Sequence, residues 1–203
     1  RCAMLWAFDE RVFNLLYLEH AGPLRAIALA FSLVGGGWGI FFVVPFLAHA
    51  RTRRVAAWLI GTLLLAGIVV FGAKAAVGRD RPFHVFVGLK ALALDSPTDH
   101  SFPSGHAAGS FAFALFVTRV AFDRGVRHAR ALAFTVVAFA SCVAVSRVML
   151  GFHFPLDVLA GEVTGGAIGA IGARLYVRAR ARTHTPDLVD EGELGEAGAR
   201  RRA

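Results

Sequence analysis

Cysteine and charge are both scarce in this sequence. Its 203 residues include two cysteines, Cys2 at one extreme and Cys142 within an apolar block. So few thiols, so placed, exclude a disulfide-stapled secreted scaffold and point to no thiol chemistry. Charged residues make up only 18% of the chain, whereas soluble domains carry about 25%. A water-facing globule would be short of polar surface. The 22 glycines follow no three-residue period, which excludes a collagen-like rod. What the chain has in excess is apolar residues, 56% of the total, gathered in long blocks. Such blocks exclude disorder and argue for a bilayer.

A membrane-crossing helix needs about 20 apolar residues. Ala26–Leu47 and Val55–Ala73 meet that length with no charge inside. Gly105–Val120 is shorter and opens on a polar signature, Ala131–Val145 is shorter still, and Leu156–Val177 is long and encloses Glu162. The expected fold is therefore an all-α integral membrane bundle of about five spans. Residues 4–20 differ, because Asp9, Glu10 and Arg11 interrupt their helical apolar spacing. They read as a helix lying in the interface, with Trp6 and Tyr17 at headgroup level. From residue 185 on, acids and glycine dominate, which predicts a solvated, disordered tail behind one membrane-embedded domain over residues 1–184.

The net charge of +8 has a pattern. Arg51, Arg53 and Arg54 form one cluster, Arg119, Arg124, Arg127 and Arg130 a second, and Arg174, Arg178, Arg180 and Arg182 a third. Each ends an apolar block, and five spans bring all three to one side, which the positive-inside rule makes cytoplasmic. The C-terminus is then cytoplasmic too. The loops lack the interleaved aromatics of a nucleic-acid surface, so no nucleic-acid partner is expected. Two loops, near Lys74–Phe102 and Ser146–Pro155, face outward yet also hold bases. Those charges call for chemistry.

Lys74 and Arg81 are seven residues apart, two helical turns, and Pro82 stops the helix they share. They suit an anion, or else snorkel at a helix end. Ser104 is a good N-cap for the third span, and Gly105 lets a ligand approach the backbone at an anion-favouring helix N-terminus. His106 beside them could donate a proton, or be a hydrated residue at a plain capped helix start. Before the fifth span stand Arg147, His153 and Asp157. An aspartate just inside that helix can accept one imidazole N–H and leave the other nitrogen free to attack. The rival reading is a simple helix cap beside an interfacial histidine.

Together, Lys74-x6-Arg81-Pro82, Pro103-Ser104-Gly105-His106 and Ser146-Arg147-x5-His153-x3-Asp157 resemble the three signatures of the type 2 phosphatidic acid phosphatase (PAP2) superfamily. The resemblance covers residues 74–157 and implies the helical core that this superfamily shares with vanadium haloperoxidases. It implies a lipid phosphate phosphatase that needs no metal or other cofactor and works through a phosphohistidine. His153 would be the nucleophile, Asp157 its orienting partner and His106 the general acid. Lys74, Arg81, Arg147, Ser104 and Gly105 would hold the phosphate. Arg81-Pro82-Phe83 and residues 99–106 resemble undecaprenyl-diphosphatase members, which implies undecaprenyl diphosphate as substrate and an outward-facing site in a bacterial inner membrane. Related members handle phosphatidylglycerol phosphate, phosphatidic acid or lipid A phosphates.

Three other classes remain open. A vanadium haloperoxidase shares these signatures but is soluble; an intramembrane serine protease could pair Ser104 with a histidine; a lipid carrier would keep the cations without needing His153. Elsewhere, Gly161, Gly165 and Gly169 form a small-residue ladder suited to packing within the bundle. Gly35, Gly36, Gly37 and Gly39 suggest a thinned or bent first span. Glu162 suggests a polar interhelical contact. Arg79 and Asp80 read as rim charges, while His84, His100, Asp95 and Asp99 lack metal-ligand spacing. Phe83, Val85, Phe86 and Val87 either line a lipid entry or rest in the interface.

Overall fold

The computed structural model describes residues 2–20, 22–37, 39–89 and 97–182. The expected disordered tail, residues 185–203, lies outside the described residues, as does Asp95. Among the described residues all regular structure is helical. Four helices are long and apolar enough to cross a membrane: α4 (Arg53–Val77), α6 (Gly105–Asp123), α7 (Ala129–Met149) and α8 (Pro155–Arg182). At about 1.5 Å per residue even the shortest of these approaches the ~30 Å hydrocarbon core.

The span expected over Ala26–Leu47 is not one helix. It breaks into α2 (Pro23–Val34), α3 (Gly39–Val43) and a 3₁₀ turn over Val44–Leu47. Two local causes act. A Cβ on Gly35 would collide with the Val143 side chain of α7, so glycine is needed where the helices touch. Glycine also weakens a helix by about 1 kcal/mol per residue relative to alanine. Downstream, Pro45 lacks the N–H that an α-helix would use.

The firmest packing is between α6 and α8. The ladder Gly161, Gly165, Gly169 lies against the α6 backbone: a Cβ on Gly161 would sit 2.5 Å from Ser104 O, and one on Gly165 would overlap Ala108 O. Apolar burial adds little between helices in lipid, so close backbone contact carries the association. Gly165→Ala is expected to destabilise the protein in detergent by about 1–3 kcal/mol, the usual cost of overpacking. Gly67→Ala on α4, where a Cβ meets nothing within 4 Å, should be neutral or better. Equal unfolding curves for the two variants would refute this account.

The bundle has two chemically distinct ends. At one, Arg180 pairs with Asp123 at 2.9 Å and the Arg124 guanidinium lies 5.8 Å from the Tyr176 ring, which itself neighbours Trp58 near the start of α4. The Arg clusters thus gather there. The opposite end is covered by α1 (Cys2–Leu16). Phe13 of α1 is fully buried against Phe86 and Phe154, and Leu18 N donates to Met149 O at 2.9 Å. The aromatics expected at headgroup level also make contacts within the fold: Trp6, still 39% exposed, lies 5.3 Å from Phe154, and Tyr17 stacks on Phe13.

Candidate active site

Lys74 occupies the last turn of α4, which Gly78 ends in the left-handed region (φ +63°) with its N–H on Lys74 O at 3.0 Å. That reversal is a glycine property, since a Cβ would be strained there. The helix expected to carry both Lys74 and Arg81 thus stops at Gly78 rather than at Pro82, and the turn sends Arg79 and Arg81 to separate partners before Pro82 opens α5 (Pro82–Val85). Ser104 starts α6, Arg147 ends α7, and His153 and Asp157 flank Pro155 at the start of α8. Ser104 N donates to Asp157 O at 2.9 Å, locking the two helix starts together.

A relay runs through this junction. Asp157 accepts from Phe154 N at 2.9 Å, a carboxylate at the third helical position bonding back to the cap residue. Its Oδ2 also accepts from Ser101 Oγ at 2.5 Å, and Ser101 Oγ is 3.4 Å from His153 Nδ1. The direct His153 Nδ1 to Asp157 Oδ2 separation is 3.8 Å, too long for a hydrogen bond. The expected aspartate–imidazole contact is therefore corrected: the Ser101 hydroxyl bridges it. His153 Nε2 faces the other way, 3.4 Å from Arg81 Nη1. Burial, reinforced by the Arg81 and Arg147 charges and opposed by Asp157, pushes the His153 pKa down to about 4. The ring is neutral at neutral pH.

Arg79 is no rim charge. Its Nη1 meets Asp157 Oδ1 at 2.5 Å and its Nη2 meets Asp9 Oδ2 at 2.6 Å, with both carboxylates fully buried. The guanidinium also lies 4.3 Å from the Phe154 ring centroid and 4.9 Å from that of Trp6. Asp9 in turn accepts from Leu156 N at 2.8 Å. The acid that interrupts the apolar face of α1 is thus an internal strut of the site.

Lys74 and Arg81 do converge, but on a carboxylate. Asp99 lies 3.0 Å from Lys74 Nζ and 2.6 Å from Arg81 Nη2, while Arg81 Nη1 donates to Phe152 O at 3.0 Å. Burial alone would raise the Asp99 pKa, yet the Lys74 hydrogen bond and the Arg81 charge hold it below the usual carboxylate range. Arg147 lies over Phe152 at 4.1 Å and donates to Ser32 Oγ. Among the described residues, two buried polar atoms of the expected phosphate binders have no protein partner: Ser104 Oγ, which does not cap its helix, and Arg147 Nε.

His106 stands within electrostatic reach of His153, Arg81, Arg147 and Lys74, although no hydrogen bond joins it to the relay among the described residues. Together with Gly105 it lines a largely apolar cavity of about 1260 Å³ bounded by α2, α3, α4, α6 and α7. The cavity follows α4 from Phe71 back to Thr52, roughly 28 Å of helix at 1.5 Å per residue. Phe86 is spent on Phe13, whereas Val87 is fully exposed. Glu162 makes no hydrogen bond or ion pair among the described residues, so the polar interhelical contact is not found. Nor do three His, Cys, Asp or Glu side chains of the described residues converge as metal ligands would.

Sequence reasoning missed Arg79, Ser101, Asp9 and the place of Asp99. Two signals were available: Arg79 lies two residues from a signature arginine, and Asp9 is an acid in an otherwise apolar helix face.

A buried imidazole–hydroxyl–carboxylate relay beside converging cations is the equipment that transfer of an anionic group calls for. The family model of the PAP2 superfamily matches residues 55–181, and the chain belongs to that superfamily. It is 36% identical over 138 residues to the decaprenylphosphoryl-5-phosphoribose phosphatase of Mycobacterium tuberculosis, covering 66% of this chain and 69% of that one. It is 28% identical over 169 residues to the undecaprenyl-diphosphatase of Sulfolobus acidocaldarius, covering 83% and 78%. The fold matches a transmembrane PAP2-type phosphatidylglycerolphosphate phosphatase from Bacillus subtilis with a TM-score of 0.69 at 18% identity, covering 91% and 89%. The chain is thus an integral membrane phosphatase that hydrolyses phosphate esters of lipids.

Proposed function

We propose that this protein removes a phosphate from a polyprenyl carrier lipid, with undecaprenyl diphosphate cut to undecaprenyl phosphate as the favoured reaction. The observation that carries it is the neutral His153, with Nδ1 turned to the Ser101–Asp157 relay and Nε2 turned to the Arg81 cation. In the reaction, Nε2 attacks the terminal phosphorus and the bond to the bridging oxygen breaks. His106 protonates the leaving lipid phosphate. Water, deprotonated by the same imidazole, then releases orthophosphate from His153. Lys74, Arg81 and Arg147 absorb charge on the equatorial oxygens, with Ser104 Oγ and the Gly105 N–H as further donors. Three fixed cations make a divalent metal unnecessary.

The apolar cavity beside His106, long enough to match the bilayer core, supports a substrate with one extended hydrocarbon chain. The two relatives named for polyprenyl substrates support the same class. By the positive-inside rule the Arg-rich end faces the cytoplasm and the site opens to the exterior of a bacterial inner membrane. The test is phosphate release in detergent from a panel of polyprenyl diphosphates, phosphatidylglycerol phosphate, phosphatidic acid and lipid A. The diphosphates should turn over fastest, with EDTA present. EDTA-sensitive turnover, or faster turnover of an acylated lipid, would refute the reading. Once the ionisation of the substrate phosphate is allowed for, the acid limb of kcat/KM should lie below the ordinary histidine value, because burial holds the His153 pKa down to about 4; an enzyme limb above that value would contradict its place as attacking base.

A further inference from the structure

Lys74 and Arg81 have side chains only 11% and 4% exposed, so neither can move its charge into water without leaving the fold. Two buried cations side by side repel each other and need a counter-anion. Asp99 supplies it, Oδ1 on Arg81 and Oδ2 on Lys74, and it does so from a side chain that is 55% exposed. The carboxylate can therefore reach solvent, and it can leave the cations once another anion takes its place beside them. Its backbone need not follow: Arg81 Nε holds Asp99 O at 2.7 Å, and Lys74 Nζ donates to His100 O. The two carboxylate oxygens are held as two oxygens of a phosphate would be.

We propose that Asp99 is the resting counter-anion of the phosphate cradle, a specificity-determining residue that every incoming phosphate must displace. This rests on the reading that Lys74 and Arg81 bind the substrate phosphate. Binding is then an exchange of anions rather than a capture by bare cations. A lipid phosphate, anchored by its chain, wins the exchange. Free orthophosphate has no such anchor, so Asp99 returns and expels it, which keeps the product from occupying the site.

The test is calorimetric titration of orthophosphate into detergent-solubilised protein, which needs no turnover. Asp99→Asn should bind orthophosphate about tenfold more tightly, the equivalent of roughly 1.4 kcal/mol. Asp99→Ser, run beside it in case the amide repacks, should do the same, and added formate should weaken its binding back toward the wild-type value. Orthophosphate binding in both variants that is equal to or weaker than wild type would overturn the proposal. Tighter binding in the variants, with wild-type protein that hydrolyses no lipid phosphate, would uphold it and overturn the reading of function instead.

Discussion

Replacing His153 by glutamine should lower phosphate release by about 10⁴-fold or more, roughly 5.5 kcal/mol of barrier. Glutamine keeps a polar side chain in the same space but offers no nitrogen able to carry a phosphoryl group. The remaining cations can still bind the lipid phosphate, so binding should outlast turnover. Measurement is by orthophosphate release with EDTA present, and by quenching the reaction to trap an acid-labile phosphoryl group on the protein. The wild type should show that group and the variant should not. A variant within tenfold of wild type, or one that still traps phosphate, would remove His153 from the reaction. The Ser101 bridge adds a graded companion to this expectation. Ser101→Ala breaks the hydroxyl link between His153 and Asp157, so its loss of turnover should fall between wild type and the His153 variant.

Arg79→Met is expected to cost about 3–5 kcal/mol of stability, the usual penalty for breaking a buried ion pair from one side. The guanidinium is the shared partner of Asp9 and Asp157, whose side chains are fully buried. Removing it leaves two carboxylates without their cation in a medium that solvates them poorly. Arg79→Lys should recover only part of the loss, because one ammonium cannot serve two carboxylates as a planar fork does. Pairing Arg79→Met with Asp9→Asn should restore part of the stability, since one of the two orphaned charges is then gone. Unfolding in detergent checks all three. A single variant within about 0.5 kcal/mol of wild type, the range of ordinary surface changes, would show that Arg79 carries no such burden.

Much of the candidate site was legible in the sequence because it is built from local spacing. Ser104, His153 and Asp157 sit at or beside the helix starts where Ser104 and Pro155 place them, whereas Lys74 and Arg81 converge although Gly78 ends their expected common helix before Arg81. Arg147 was found at the same end of the bundle, though its guanidinium donates to Ser32 and lies over Phe152. Arg79 was misread because nothing in a one-dimensional pattern says which way a side chain leaves a glycine in the left-handed region. Asp9 was misread because its partners, Arg79 and Leu156, are 70 and 147 residues away along the chain. The glycines at 35–37 and 39 mark where the first span bends, but its division into separate helices is not legible, because hydropathy counts apolar length and is blind to the Val143 side chain that excludes a Cβ at Gly35.

The sequence by itself determined the membrane class, the four unbroken helices and the end of the bundle at which the chemistry gathers. Apolar runs, helix punctuation and charge placement are properties of neighbouring residues, and a bilayer acts on them one segment at a time. Only the tertiary structure decided the Ser101 bridge, the Arg79 strut to α1 and the seat of Asp99 on the two cations. The Ser101 bridge needs the start of α8 held against the start of α6, the Arg79 strut needs α1 folded across that end, and the seat of Asp99 needs the end of α4 brought to the connection ahead of α6. Contacts of that kind arise from the whole chain's closure in space, which no local pattern encodes.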